Sequence, residues 1–446
     1  MKYNKKKFAL DLFLYISYSI LSFQILSTQT LDFINSDSLY LATLERFGIF
    51  GVSPPPSTYY FPDYFLYYLT KAVLSDPFER IIAAGFVQLF LLVILFRIFS
   101  NFLRNFIFIF ILLAFAPSLS ITISFHLLSI ALFFIILSAP KKTKNILLVA
   151  FGLMDPIVLL AWSIFLFVRT LKRNEYELRQ QAALLISWLL CYVNGDLHPA
   201  HNKMLVMLAL ALLVTNLAHH LRLHERLKRY FELVTEAEAF RIIMCIFITA
   251  MLIVNQPDRY VIPLLGMALL NTTNKQDIEK QISTDLLLRL LPLIAVFFAF
   301  IFSFKALTSK LDQYLNKYDC LINSLNQDHI KSVATDYWLS KFILIRSNYN
   351  IWVMPFHFEK GKPYIWISPY RMASQEISFF LVRNDCHIGG IHCNLNWLNS
   401  FAKREKHLCE DYFLFKTAEP LLFDSVSSKV ENIRQNFLMH VWKFTH

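Results

Sequence analysis

Long apolar runs separated by short charged loops recur from the start of the chain to about residue 304. About eleven can be marked, near 8–29, 81–100, 105–118, 122–139, 145–155, 156–169, 180–194, 203–219, 240–254, 259–271 and 284–304. A comfortable membrane span needs about 20 apolar residues, and several of these runs are shorter. The pair 145–155 and 156–169 can also be read as one long span. Composition points the same way. Charged residues make up 17% of the chain, against about 25% in a soluble domain, and 43 of the 446 residues are Phe. Disorder and one large soluble core both fit such a composition poorly, and the length suits two domains.

Loop charge decides between the two readings of the split pair. With eleven spans, one side collects Lys5, Lys6 and Lys7, Arg97 and Arg104, Lys141, Lys142 and Lys144, and Arg169 to Arg179. The same side takes Arg222 to Arg229, then Lys275 and Lys280. The other side holds Arg46, Lys203 and Arg259 and little else before residue 305. Lys and Arg accumulate in cytoplasmic loops, so the first side is expected inside. Merging the pair would spoil the asymmetry, so a turn is expected at Met154-Asp155-Pro156, where Pro breaks the helix. This pattern also accounts for the net charge of +11, which is spread too thinly for a nucleic-acid partner. The stretch Phe8 to Leu26 is longer than a signal core and lacks a small-residue cleavage site, so it reads as a retained span.

The expected architecture is therefore mainly α: a polytopic transmembrane bundle of about 11 spans with its N-terminus inside. Residues 1–304 form the bundle, with a long outer loop at 30–80, and 305–446 form a small extracytoplasmic α/β domain. In the outer loop, Ser38 to Phe47 reads as a short helix with Gly48 near its end, and Pro54-Pro55-Pro56 interrupts regular structure. Phe61 to Leu74, rich in Phe, Tyr and Leu, suits a helix lying at the membrane interface. In the tail, Lys341–Ile345, Tyr349–Pro355, Tyr364–Ile367 and Ile377–Val382 read as strands. The chain has six cysteines. Four lie in the tail, where disulfides are permitted, and Cys386 and Cys393 are near enough in sequence to close a small loop.

Ionisable groups are costly in hydrocarbon and so mark candidate function. On this topology they gather on the outer face: Asp32, Asp37, Glu45, Asp63, Asp155, Asp196, His198, His201 and Arg259, with His126 about one turn from the outer end of its span. Asp37, in Asn35-Ser36-Asp37-Ser38, could cap the short helix or serve as a general base at the bilayer surface. Asp63 could cap the interfacial helix or contact substrate. Asp155 could cap the returning helix, but a carboxylate at a break inside a bundle needs a partner or water. Arg259 could anchor the interface beside Asp258 or bind phosphate through its forked donors. Neither a Gly-rich phosphate loop nor a Gly-x-Ser-x-Gly elbow is present.

The order of first span, aspartate, short helix, Pro-rich stretch and aromatic helix resembles membrane glycosyltransferases of the GT-C class. The bacterial branch of protein mannosyltransferases and aminoarabinose transferases has the most similar layout. The residues that carry the resemblance are Ser36-Asp37-Ser38-Leu39-Tyr40, Pro54-Pro55-Pro56 to Tyr68, Phe151 to Pro156, and Arg259-Tyr260-Val261-Ile262-Pro263-Leu264. The resemblance implies sugar transfer from a polyprenyl-phosphate donor to an envelope glycan, lipid or protein acceptor, on the outer face of a bacterial inner membrane. It implies Asp37 as catalytic base, and Asp63, Asp155, Arg259, His126 and Tyr260 in substrate binding. No metal ligand set is assigned, although a divalent metal is compatible with the class. The chain departs from the pattern at Ser53-Pro54-Pro55-Pro56, which lacks a lysine, and at Ala116-Pro117-Ser118-Leu119-Ser120, which lacks a carboxylate. Two other classes stay open: a transporter or flippase of a lipid-linked or anionic solute, and an inactive scaffold whose outer domain binds a partner.

Overall fold

The computed structural model describes residues 5–31, 34, 36–48, 52, 63–99, 129–154, 156–173, 180, 182–184, 186, 235–253, 264–268, 293–358, 362–363, 376–383, 398–399, 402–409 and 411–421. The chain divides into two compact units. One holds residues 1–33, 56–75 and 79–308, and the other residues 34–55, 76–78 and 309–446.

The first unit is helical. Its elements are α1 (Lys5–Ser27), α3 (Phe65–Thr70), α4 (Pro77–Phe99, from residue 79 onward), α5 (Ser129–Ser138), α6 (Lys141–Met154), α7 (Pro156–Arg173), α8 (Glu236–Ile253) and α9 (Leu293–Thr308). Helix α1 packs along α9. Aromatic rings join α9 to α4: Phe86 meets Phe300 at 5.6 Å and Phe90 meets Phe297 at 5.5 Å. A second aromatic cluster ties α5, α7 and α8 together, with Phe133 stacked on Phe240 at 5.8 Å and set edge-on to Trp162 at 5.7 Å. Thr235 and Glu238 close a reciprocal capping box at the start of α8, Thr235 donating to Oε2 and Glu238 N–H to the Thr235 hydroxyl. Three buried hydroxyls within these helices are satisfied locally: Ser19, Ser163 and Ser303 each donate to the carbonyl four residues back. This removes the cost of an unpaired hydroxyl in apolar surroundings.

The eleven-span bundle is not what this structure shows. Among the described residues only two helices are long and apolar enough to cross a membrane, Pro77–Leu95 and Leu293–Gln327. In α6 and α7 the physical reason is that several charges share the helix with the apolar run. Helix α1 begins with three lysines and carries Asp11, and its described apolar stretch is Leu12–Ser27. Helix α6 opens with Lys141, Lys142 and Lys144. In α7 the apolar part is Ile157–Leu166, before Arg169 and Lys172. The apolar part of Leu293–Gln327 is α9; its continuation is polar and belongs to the second unit. The expected runs at 105–118 and 203–219 lie outside the described residues. The expected break at Asp155 separates α6 from α7, which pack together.

The second unit mixes helices and strands, so the chain is not a mainly α protein. It contains α2 (Ser36–Phe47), α10 (Leu311–Gln327), β1 (Ser332–Thr335), α11 (Tyr337–Arg346), β2 (Trp352–His357), β3 (Lys362–Pro363), β4 (Ile377–Arg383), β5 (Ala402–Leu408) and β6 (Tyr412–Leu421). The sheet has six strands in the order β3-β2-β1-β4-β6-β5. Strand β1 is central and parallel to both β2 and β4, while β6 runs antiparallel to β4 and β5. Both faces of the parallel strands are buried, as parallel sheets require. On one face Ala334, Met354, Phe356, Phe380, Val382 and Phe415 form a core. The outer strand β5 is Ala-Lys-Arg-Glu-Lys-His-Leu with its five middle residues exposed, a charged edge that discourages pairing with other chains.

Helix α11 explains a correction. Lys341–Ile345, read from the sequence as a strand, is helical and fully surrounded. A buried helix is apolar on every side, so it shows no 3.6-residue period to distinguish it from a strand. Asp336 caps it, accepting from Trp338 N–H at 2.9 Å and Leu339 N–H at 3.1 Å. Helix α10 is held against it by a two-pronged ion pair, Arg346 to Asp319 at 2.7 and 2.8 Å, and by Tyr318 stacked on Phe342 at 4.5 Å. Cys320 and Cys409 form a disulfide across 89 residues.

Candidate functional site

Asp37 is the second residue of α2. The helix starts on Ser36 and ends before Gly48, whose φ of +71° favours a residue without a Cβ. Gly48 N–H donates to Leu44 C=O at 2.9 Å. Residues Ser38 to Leu44 are all buried. A surface helix would leave one face wet, so α2 is built into its unit rather than laid on it. Its partner is α11. Beyond α11, Tyr349 donates its hydroxyl to Ala42 C=O at 3.3 Å and meets Phe47 edge-on at 5.6 Å. Phe47 also lies 6.1 Å from Trp352, and the Arg46 guanidinium lies 5.4 Å above the Tyr349 ring.

In the helical unit, Asp63 is buried at 2% exposure. Tyr64 takes the cap position of α3 and makes no side-chain cap bond. Arg80, buried nearby in sequence on α4, lies 3.9 Å over the Tyr67 ring and donates to Tyr67 C=O at 3.3 Å. Thr70 donates to the same carbonyl at 2.7 Å. Sequence reasoning did not single out Arg80. The signal available was a Glu79-Arg80 pair at the head of an otherwise apolar run. His126, Asp155, Arg259 and Tyr260 lie outside the described residues, as do Cys386 and Cys393.

The α/β unit presents a second polar place that the sequence did not announce. Thr335 of β1 is level with Pro355 of β2 and Leu381 of β4. The three parallel strands therefore end together, at Asp336, His357 and Arg383. Strand order reverses there, and such carboxyl-end edges are where open α/β sheets take ligands. Burial pushes the Asp336 carboxyl above the ordinary carboxylate range, while the α11 amides and the Arg383 charge pull it back. On the far side of α11, Arg346 holds Asp319 below that range through its hydrogen bonds. Lys341 is fully buried on α11, donating to the Tyr337 hydroxyl at 3.2 Å with its ammonium 4.3 Å over that ring. Among the described residues no group of three His, Cys, Asp or Glu side chains gathers to hold a metal ion.

No protein-family model and no curated protein matches this chain.

Proposed function

We propose that this chain is a membrane-anchored glycosyltransferase that uses a polyprenyl-phosphate-linked sugar, with Asp37 as general base. One observation carries the reading. Asp37 follows the apolar helix α1 in sequence and lies in the first turn of α2, a helix of the α/β unit. In the reaction, Asp37 takes the proton of an acceptor hydroxyl. The oxygen attacks the anomeric carbon, the bond from that carbon to the phosphate oxygen breaks with inversion, and the lipid phosphate leaves. Arg259 is the candidate to neutralise that phosphate. The reading does not rest on an eleven-span bundle.

Two observations support the membrane placement. Every exposed large hydrophobic among the described residues lies in the helical unit, including Phe13 at 65%, Ile246 at 64% and Phe298 at 51%. Monomers in water rarely expose so much apolar surface. The Cys320–Cys409 bridge lies in the other unit, and disulfides persist in oxidising compartments outside the cytoplasm. The experiment is Asp37→Asn, assayed for sugar transfer in membranes. Removing a general base lowers the rate by about 10²–10⁴-fold; unchanged transfer at equal expression would remove Asp37 from the mechanism.

A second reading, a ligand- or partner-binding α/β unit, is favoured by the edge formed by Asp336, His357 and Arg383. Under it, Arg383→Ala abolishes the cellular phenotype and Asp37→Asn leaves it intact.

A further inference from the structure

Helix α2 is far from most of its unit in sequence, 307 residues from the side chain that grips its backbone. That side chain is Tyr349. Its backbone φ is +62°, beside Asn348 at +50°. Asn tolerates this left-handed region well, but a bulky aromatic rarely adopts it. Here the surrounding hydrogen bonds enforce it. Asn348 N–H donates to Ile345 C=O and Tyr349 N–H to Leu344 C=O, each at 2.9 Å, closing the end of α11. The result is that the phenol is aimed at the C-terminal half of α2. It contacts Ala42 through its hydroxyl, Phe47 through its ring edge and Arg46 through its ring face. Strained positions of this sort persist where the fold over-determines them, and they gather where position matters to function. Closing α11 does not itself require an aromatic: a glycine would make the same turn without strain.

We infer that Tyr349 is a positioning residue for the reaction, holding α2 by its C-terminal half so that Asp37 in its first turn stays in place. This inference rests on the reading of Asp37 as the base. It makes the α/β unit part of the catalytic apparatus instead of an appended binding module. Tyr349 touches no reacting atom; it acts only through α2.

The test uses the full-length protein in membranes or reconstituted vesicles, with Tyr349→Phe and Tyr349→Gly. The glycine variant keeps the turn and removes only the ring, so the unit still folds. Hydrogen exchange reads the seating directly. In Tyr349→Gly the amides of α2 exchange about tenfold faster while those of β1 and β4 are unchanged. Transfer from a polyprenyl-phosphate-linked hexose to the acceptors present in the membranes reads the consequence. The apparent kcat falls about tenfold or more in Tyr349→Gly with the donor KM unchanged, since a small misplacement costs rate more than affinity. Tyr349→Phe retains most of both, because the ring contacts remain. Unchanged exchange in α2 overturns the inference, as does loosened α2 with normal kcat. Absence of transfer by the wild-type protein, with α2 loosened in Tyr349→Gly, overturns instead the reading of Asp37 and leaves Tyr349 only the clamp of α2.

Discussion

Phe13, Ile246 and Phe298 stand outward from the helical unit, each more than half exposed, whereas the large hydrophobic side chains described in the α/β unit are buried or partly buried. Both units are rich in apolar residues, yet they dispose of them differently. The helical unit joins its helices through aromatic rings and returns its hydroxyls to its own backbone. The α/β unit encloses its apolar residues on both faces of a sheet. It fixes its exterior with a disulfide, ion pairs and a capped central helix. The contrast supports the proposed placement of the helical unit in lipid and of the α/β unit in water. Asp37 belongs to the α/β unit.

Four changes would break or sharpen this contrast. The largest effect is expected from Cys320→Ser. The bridge spans 89 residues, so its loss should destabilise the α/β unit by about 2–5 kcal/mol and leave the helical unit assembled. Separate unfolding of the two units by hydrogen exchange reads this. Next is Phe298→Lys. If its face meets lipid, the charge costs about 2.5–3.5 kcal/mol and membrane yield collapses; in water the substitution would be nearly neutral. Third is Asp319→Asn, which breaks the Arg346 pair. Both side chains are about a third exposed, at 29% and 34%, so solvent screening limits the loss to about 1 kcal/mol.

The smallest effect is Asp336→Asn, which keeps a capping side chain and removes a carboxylate that burial disfavours when charged. Near neutral pH it should be neutral or slightly stabilising. The two aspartates have opposite pH signatures. Asp319 has a lowered folded value, so it adds stability above its unfolded value near about pH 4 and loses it as pH falls through the folded value. Asp336 has a raised one. Its contribution is complete below about pH 4 and is lost as pH rises through the folded value. Acid titration of Asp319→Asn should therefore flatten the acid-side loss of stability, and that of Asp336→Asn should steepen it.

Local signals were legible where one residue type dictates backbone geometry. Gly48 marked the end of α2, Pro156 the start of α7, and Ile377–Val382 the strand β4. Where burial is complete, periodicity fails, and Lys341–Ile345 was taken for a strand although it is helix α11. Strand β2 begins at Trp352 rather than Tyr349 because the positive φ of Asn348 and Tyr349 closes the preceding helix first. The count of spans misled because apolar windows ignore charges that share the same helix, as in α6 and α7. The Cys320–Cys409 pairing and the docking of α2 on α11 join residues far apart in sequence. Neither has a local signature. At the candidate site, the position of Asp37 after α1 was readable from the sequence. Arg80 and the edge at Asp336 and Arg383 became visible only once the fold brought buried charges and strand ends together.

One native side chain tests the two-solvent account directly. Cys245 is a free, exposed thiol on α8, between the outward-facing Ile242 and Ile246 and the exposed Thr249. A membrane-impermeant maleimide should be applied to intact membranes and to detergent-denatured protein, with labelling read by mass spectrometry of the peptide that carries Cys245. A thiol facing hydrocarbon is out of reach of a membrane-impermeant reagent. The account predicts labelling in denatured protein and essentially none in membranes. Equal labelling in both would place the helical unit in water and contradict it.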